Sequence, residues 1–72
     1  MNKETDEYGT IRYYNDQDQL HREDGPAIES AGGYKAWYVN GKRHREDGPA
    51  IEYASGHKEY WINGKRIKKV SN

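Results

Sequence analysis

His21-Arg22-Glu23-Asp24-Gly25-Pro26-Ala27-Ile28-Glu29 returns letter for letter as His44-Arg45-Glu46-Asp47-Gly48-Pro49-Ala50-Ile51-Glu52, 23 residues later. Identity spreads outward from that block. Laying residues 21–43 on residues 44–66 also matches Ala31 with Ala54, Gly33 with Gly56, Lys35 with Lys58, and Asn40-Gly41-Lys42-Arg43 with Asn63-Gly64-Lys65-Arg66, giving 16 identities in 23 positions. Trp37/Tyr60, Tyr38/Trp61 and Val39/Ile62 keep their chemical character. A fixed period of this length marks a repeat protein, in which a unit too small to bury its own apolar face is completed by its neighbours. An earlier half-copy covers residues 9–20, where Tyr13-Tyr14 replace Trp37-Tyr38 and Asn15-Asp16-Gln17-Asp18 replace the Val-Asn-Gly turn with one residue more. After Arg66 the chain reads Ile67-Lys68-Lys69-Val70-Ser71-Asn72, and the series stops there. Atypical end units are what capping looks like.

No segment sustains the apolar spacing of a helix, and eight glycines with two prolines interrupt the chain at short intervals. Asn40-Gly41 and Asn63-Gly64 each follow an aromatic and β-branched run, the strongest short-range hairpin signal, because a type I′ turn needs positive φ at both central residues. A two-residue turn fixes the register. Val39 should face Lys42, Tyr38 face Arg43, Trp37 face His44 and Ala36 face Arg45; in the next copy Ile62 should face Lys65, Trp61 face Arg66, Tyr60 face Ile67 and Glu59 face Lys68. Strand side chains alternate. One face, the expected core, then collects Trp37, Val39, His44, Tyr60, Ile62 and Ile67 with Ile11 and Tyr13. The other collects Tyr14, Tyr38 and Trp61 among Arg43, Arg45, Arg66, Lys68, His57 and Glu59. A third short strand per unit is expected at Ala27-Ile28-Glu29-Ser30 and Ala50-Ile51-Glu52-Tyr53, with Pro26 and Pro49 just ahead, where a missing N–H does no harm.

These signals describe an all-β antiparallel meander of repeated β-hairpins, about 2.5 copies of the 23-residue unit, forming a small solenoid-like or rolled sheet. Residues 1–7 read as a disordered tail, 8–70 as one β-repeat domain with units 9–32, 33–55 and 56–70, and 71–72 as a second tail. A chain of 72 residues buries only about 60% of its unfolded surface, so the core is thin. Net charge is zero, with 12 basic and 12 acidic side chains, which argues against a dedicated, strongly basic nucleic-acid binder. Cysteine is absent. With neither a signal peptide nor a long apolar run, the expected setting is the cytoplasm. Open sheet edges and a thin core favour self-association, and a homodimer or higher oligomer is expected.

Trp37-Tyr38-Val39-Asn40-Gly41-Lys42 and Leu20-His21-Arg22-Glu23-Asp24-Gly25-Pro26-Ala27, each leading into a short hydrophobic strand, resemble the MORN-repeat variant of bacterial and phage proteins, antitoxin-like ones among them. The resemblance covers residues 9–68 and implies a β-hairpin solenoid or rolled sheet with a binding role. Membrane recognition, associated with the wider MORN class, is not carried over, because the chain offers no amphipathic helix or acyl site.

The repeated His-Arg-Glu-Asp invites catalytic or metal readings, since these side chains serve as acid, base or ligand. The hairpin register instead points His44 at Trp37 and His21 at Tyr13, as half-buried rings stacked on aromatics. Asp24 and Asp47 precede Gly-Pro, where a carboxylate accepting backbone N–H bonds stabilises a turn. His21, Arg22, Asp24, Pro26, His44, Asp47 and Pro49 are accordingly assigned to a structural joint between units, with no catalytic residue, metal or cofactor. The binding face is assigned to Tyr14, Tyr38, Arg43, Arg45, Trp61, Arg66 and Lys68. Tyr, Trp and Arg dominate the energetics of protein interfaces, and Arg43 and Arg66 are expected to pair with the rings of Tyr38 and Trp61. The expected partner is another protein, reached as an inhibitor or antitoxin-like factor acting on a larger bacterial, host-defence protein. The alternative is an anionic ligand such as a nucleotide or oligonucleotide, stacked on the same aromatics and held by the same cations.

Overall fold

Asn40 and Asn63 have φ of 51° and 50°, and each precedes a glycine at 82°. That pair of positive values is the type I′ turn the Asn-Gly steps call for. The computed structural model describes residues 2–67. Within them run β1 (Asn2–Thr5), β2 (Ile11–Tyr14), β3 (Ile28–Glu29), β4 (Lys35–Ala36), β5 (Tyr38–Val39), β6 (Lys42–Arg43), β7 (Ile51–Glu52), β8 (Lys58–Ile62) and β9 (Lys65–Ile67), with no helix. All pairings are antiparallel. Seven strands lie in the order β1-β2-β3-β4-β7-β8-β9, and β5 and β6 form a separate pair. The sheet does not close into a barrel. A Cα radius of gyration of 12.2 Å and extents of 40 × 26 × 16 Å are those of a thin slab, somewhat larger than the roughly 11 Å usual for a compact chain of this length.

The hairpin register holds close to the turn and then breaks for a physical reason. Tyr38 faces Arg43 and Val39 faces Lys42; Ile62, Trp61 and Tyr60 face Lys65, Arg66 and Ile67. The Glu59–Lys68 pair lies outside the described residues. At Trp37 the strand changes partners: its C=O accepts from the His44 N–H at 3.0 Å, while its N–H donates to the Ala50 C=O at 2.7 Å. Residues 45–49 therefore bulge out between two segments that lie end to end along one strand edge. Ala36 does not face Arg45 as expected; it is registered with Ile28 on one side and Ile51 on the other. The first unit is built alike, with Tyr13 accepting from His21 N–H and donating to Ala27 C=O, both at 2.9 Å.

Two further expectations are corrected. The first residues are not a tail: Asn2–Thr5 form β1, paired with all four residues of β2, and they occupy the place that β3 and β7 hold in later units. The chain turns there as it does in those units, with Gly9 donating to the Asp6 C=O, Gly33 to Ser30 and Gly56 to Tyr53. The unit boundary at residue 9 accordingly moves back to β1. The core is also smaller than the expected face. Ala27, Ala36 and Ala50 are fully buried and Ile51 is 1% exposed, whereas Ile67 is 44% exposed; Trp37, Val39, His44, Tyr60, Ile62, Ile11 and Tyr13 are half-buried. A single-layer slab encloses only the side chains at its crossing points, and alanine is what fits there.

Candidate functional site

Each letter of the copied block has a structural partner. Arg45 folds back over its own loop, donating through Nε to Asp47 Oδ1 at 3.3 Å and through Nη1 to the Pro49 C=O at 3.1 Å and Glu52 Oε2 at 3.3 Å. Its guanidinium lies 3.9 Å from the Trp37 ring centroid. Arg22 repeats the arrangement with Asp24 at 3.1 Å, Pro26 at 3.3 Å, Glu29 at 3.0 Å and the Tyr13 ring at 4.1 Å. The arginine stem and plane thus do the covering that an apolar layer would otherwise do. A Cβ on Gly48 or Gly25 would sit 3.0 Å from the Cζ of Arg45 or Arg22, so a side chain there would press on the folded-back guanidinium. Arg45 therefore belongs to the joint and not to the binding face, because the bulge turns it away from the alternation of the hairpin.

His21 and His44 do not stack on Tyr13 and Trp37 as expected; the histidine ring contact found among the described residues is that of His57 with Tyr53, at 5.3 Å between centroids. His21 Nδ1 accepts the Asn40 N–H at 2.9 Å, and His44 Nδ1 accepts the Asn63 N–H at 3.0 Å. Each ring thereby caps the turn of the next hairpin, 19 residues on. A backbone N–H can only donate, so Nδ1 carries no proton and the other nitrogen is the donor. That nitrogen approaches Glu23 at 3.6 Å in His21 and Glu46 at 3.5 Å in His44. Among the described residues no group of three or more His, Asp or Glu side chains is disposed to hold a metal ion, and no helix is long and apolar enough to cross a membrane.

Tyr38, Arg43 and Trp61 come together on the row of hairpins. Arg43 Nε donates to the Tyr38 hydroxyl at 3.1 Å, and the guanidinium lies 5.9 Å from the Tyr38 centroid and 4.7 Å from that of Trp61. The Arg43–Tyr38 pairing expected within the second hairpin is made, and Arg43 also reaches across to Trp61 of the next unit. Arg66 is registered opposite Trp61 and is exposed. Tyr14 stands apart, its hydroxyl donating to Glu4 Oε1 at 3.0 Å, and burial followed by that bond pushes its pKa up. Lys68 lies outside the described residues. Glu59, which the sequence places on this face without a role, orients the tryptophan: Trp61 Nε1–H donates to its Oε1 at 3.0 Å and Tyr53 OH to its Oε2 at 3.3 Å. The indole N–H, helped by Arg66 and Tyr53, holds the Glu59 carboxyl below the usual range against the cost of its burial.

Between the second and third hairpins runs an open groove of about 430 Å³, lined by Tyr38, Lys42, Arg43, Trp61, Asn63 and neighbouring glycines. Sequence reading missed Lys42, Asn63 and Gly64 as lining residues, because a groove between stacked copies has no signature within one copy. Gly64 N–H donates to the Arg43 C=O at 2.8 Å and Arg45 N–H to the Trp61 C=O at 3.1 Å, so the groove floor is backbone-bonded. Its walls are the Tyr38 and Trp61 rings and its charged side chains are the cations Lys42 and Arg43, a surface suited to holding a ligand. Comparison with protein-family models, with curated proteins and with solved structures finds no match for the chain.

Proposed function

We propose that this chain is a non-catalytic protein-binding module, an inhibitor or antitoxin-like factor of phage type that occupies the surface of a larger bacterial protein. The observation that carries the reading is the Tyr38–Arg43–Trp61 contact, which presents the three residue types that dominate interface energy already ordered. A preordered surface loses little rotamer freedom on binding, so more of its contact energy appears as affinity. Affinity capture from bacterial lysate tests it with two baits, wild type and the folded double variant Arg43→Ala/Trp61→Ala. A protein enriched by the first and lost by the second is the expected result; equal capture by both would reject this face.

Self-association belongs to the same proposal, since β1 and β9 end the strand order of the sheet and edges of this kind accept another strand. Sedimentation velocity at high concentration should show a dimer or larger species, and a lone monomer would reject it.

A further inference from the structure

Arg43 differs from Arg12, Arg22 and Arg45 in what it leaves unused. Arg12 meets Asp6 at 3.2 Å, Arg22 meets Glu29 at 3.0 Å, and Arg45 meets Asp47 and Glu52, both at 3.3 Å. Arg66 acts on Glu59 through space. Arg43 is half-buried, and among the described residues no carboxylate lies within ion-pair distance of it. Its Nε is committed to the Tyr38 hydroxyl, which together with Trp61 fixes the guanidinium plane. Among the described residues neither Nη group has a hydrogen-bond partner, and both face the groove free to donate. Lys42 adds a second cation there, with Asn63 across from it.

We propose that this groove takes a carboxylate-bearing side chain, so that the partner contributes a short acidic peptide segment seated on Arg43. The inference rests on the protein-binding reading and specifies its chemistry. A planar, prealigned guanidinium with two free Nη groups matches a carboxylate through paired hydrogen bonds. A polyanion is a poor fit, because it needs a continuous basic track and the row of hairpin turns does not supply one. The first turn carries exposed Asp16 and Asp18 where the next two carry Lys42 and Lys65. A chain of phosphates running along the row would meet those acids, whereas one acidic segment crossing the groove would not.

The test uses the full chain at low salt with three probes, a capped tetraglutamate peptide, a dT12 oligonucleotide and inorganic phosphate, followed by backbone amide shifts. The peptide should move the amides of Lys42, Arg43, Trp61, Asn63 and Gly64. Arg43→Gln should weaken it about tenfold, the scale of one lost charge-assisted pair, and Arg66→Gln by less than about threefold. Arg43→Lys, which keeps the charge and loses the fork, should fall between; if Arg43→Gln fails to fold, the Lys variant and Lys42→Gln decide. Shifts absent from the groove, binding indifferent to Arg43, or a stronger response to dT12 or phosphate at the same amides would each overturn the assignment. A lysate partner captured equally by wild type and Arg43→Gln would overturn it while leaving the protein-binding module standing.

Discussion

Arg45→Ala removes the residue that closes the second bulge, and the structure sets the size of the loss. The Pro49 carbonyl, partly buried and bonded at 3.1 Å, loses its side-chain donor, worth about 1 kcal/mol. Stacking on Trp37 at 3.9 Å contributes about another 1 kcal/mol. The contacts to Asp47 and Glu52 add no more than about 0.5 kcal/mol each, because the acids are partly or largely solvated. The total is about 2–3 kcal/mol. A chain of 72 residues has about 4–11 kcal/mol of stability, so the variant should lose about a fifth to three quarters of it and melt about 10–20 °C lower. Arg45→Lys should recover at most about 1 kcal/mol, since a lysine carries the charge without the fork that reaches three acceptors. Urea and thermal unfolding followed by circular dichroism, with Gln17→Ala as an exposed control, measure all of this. An Arg45→Ala variant within about 0.5 kcal/mol of wild type, the range of an ordinary surface change, would refute the role given to the copied arginine. So would full rescue by lysine.

Two further outcomes follow from the turns. Gly33 and Gly56 both hold positive φ, 103° and 98°, but a Cβ on Gly33 would stand 3.2 Å from Ala54 Cβ, whereas one on Gly56 would meet nothing within 4 Å. Alanine at either site incurs about 1–2 kcal/mol of left-handed strain; Gly33→Ala should cost about 1 kcal/mol more, and equal losses would contradict the stacking of one turn on the next. The Asp6 carboxyl is held below its usual range by the Thr10 N–H first, then Tyr8 and Arg12. A depressed folded value stabilises above the unfolded value and is lost as the pH falls through the folded one. Asp6→Asn should therefore be less stable than wild type at neutral pH and converge with it in acid; a constant gap across that range would contradict the assignment.

The parts of the fold that were legible in the sequence are those fixed by local chemistry. Asn40-Gly41 and Asn63-Gly64 force their turns, and the turns force the register for the next two or three pairs. Alternation carried past Trp37 misplaces Arg45, because the partner strand is broken there by a bulge within which Arg45 grips Asp47, Pro49 and Glu52, local contacts that leave no mark on the apolar alternation. β1 was hidden because Asn2-Lys3-Glu4-Thr5 shares little with Ala-Ile-Glu. A usable signal was Gly9, which matches Gly33 and Gly56 once the extra residue of the first hairpin turn is counted. The Arg43–Trp61 contact and the groove beside it join two copies, and only the stacking of units brings them together. The partner of each histidine was out of reach, since a backbone N–H 19 residues away leaves no trace in composition or spacing.

The copied block is understood here as the clasp that holds each hairpin to the next, and the histidine rings report on it directly. In a ¹⁵N-labelled sample, the Nδ1 atoms of His21 and His44 should show the shift of an unprotonated nitrogen, with scalar couplings across the hydrogen bonds to the Asn40 and Asn63 amide nitrogens. Protons on Nδ1, or couplings absent from both pairs in the folded protein, would contradict the account.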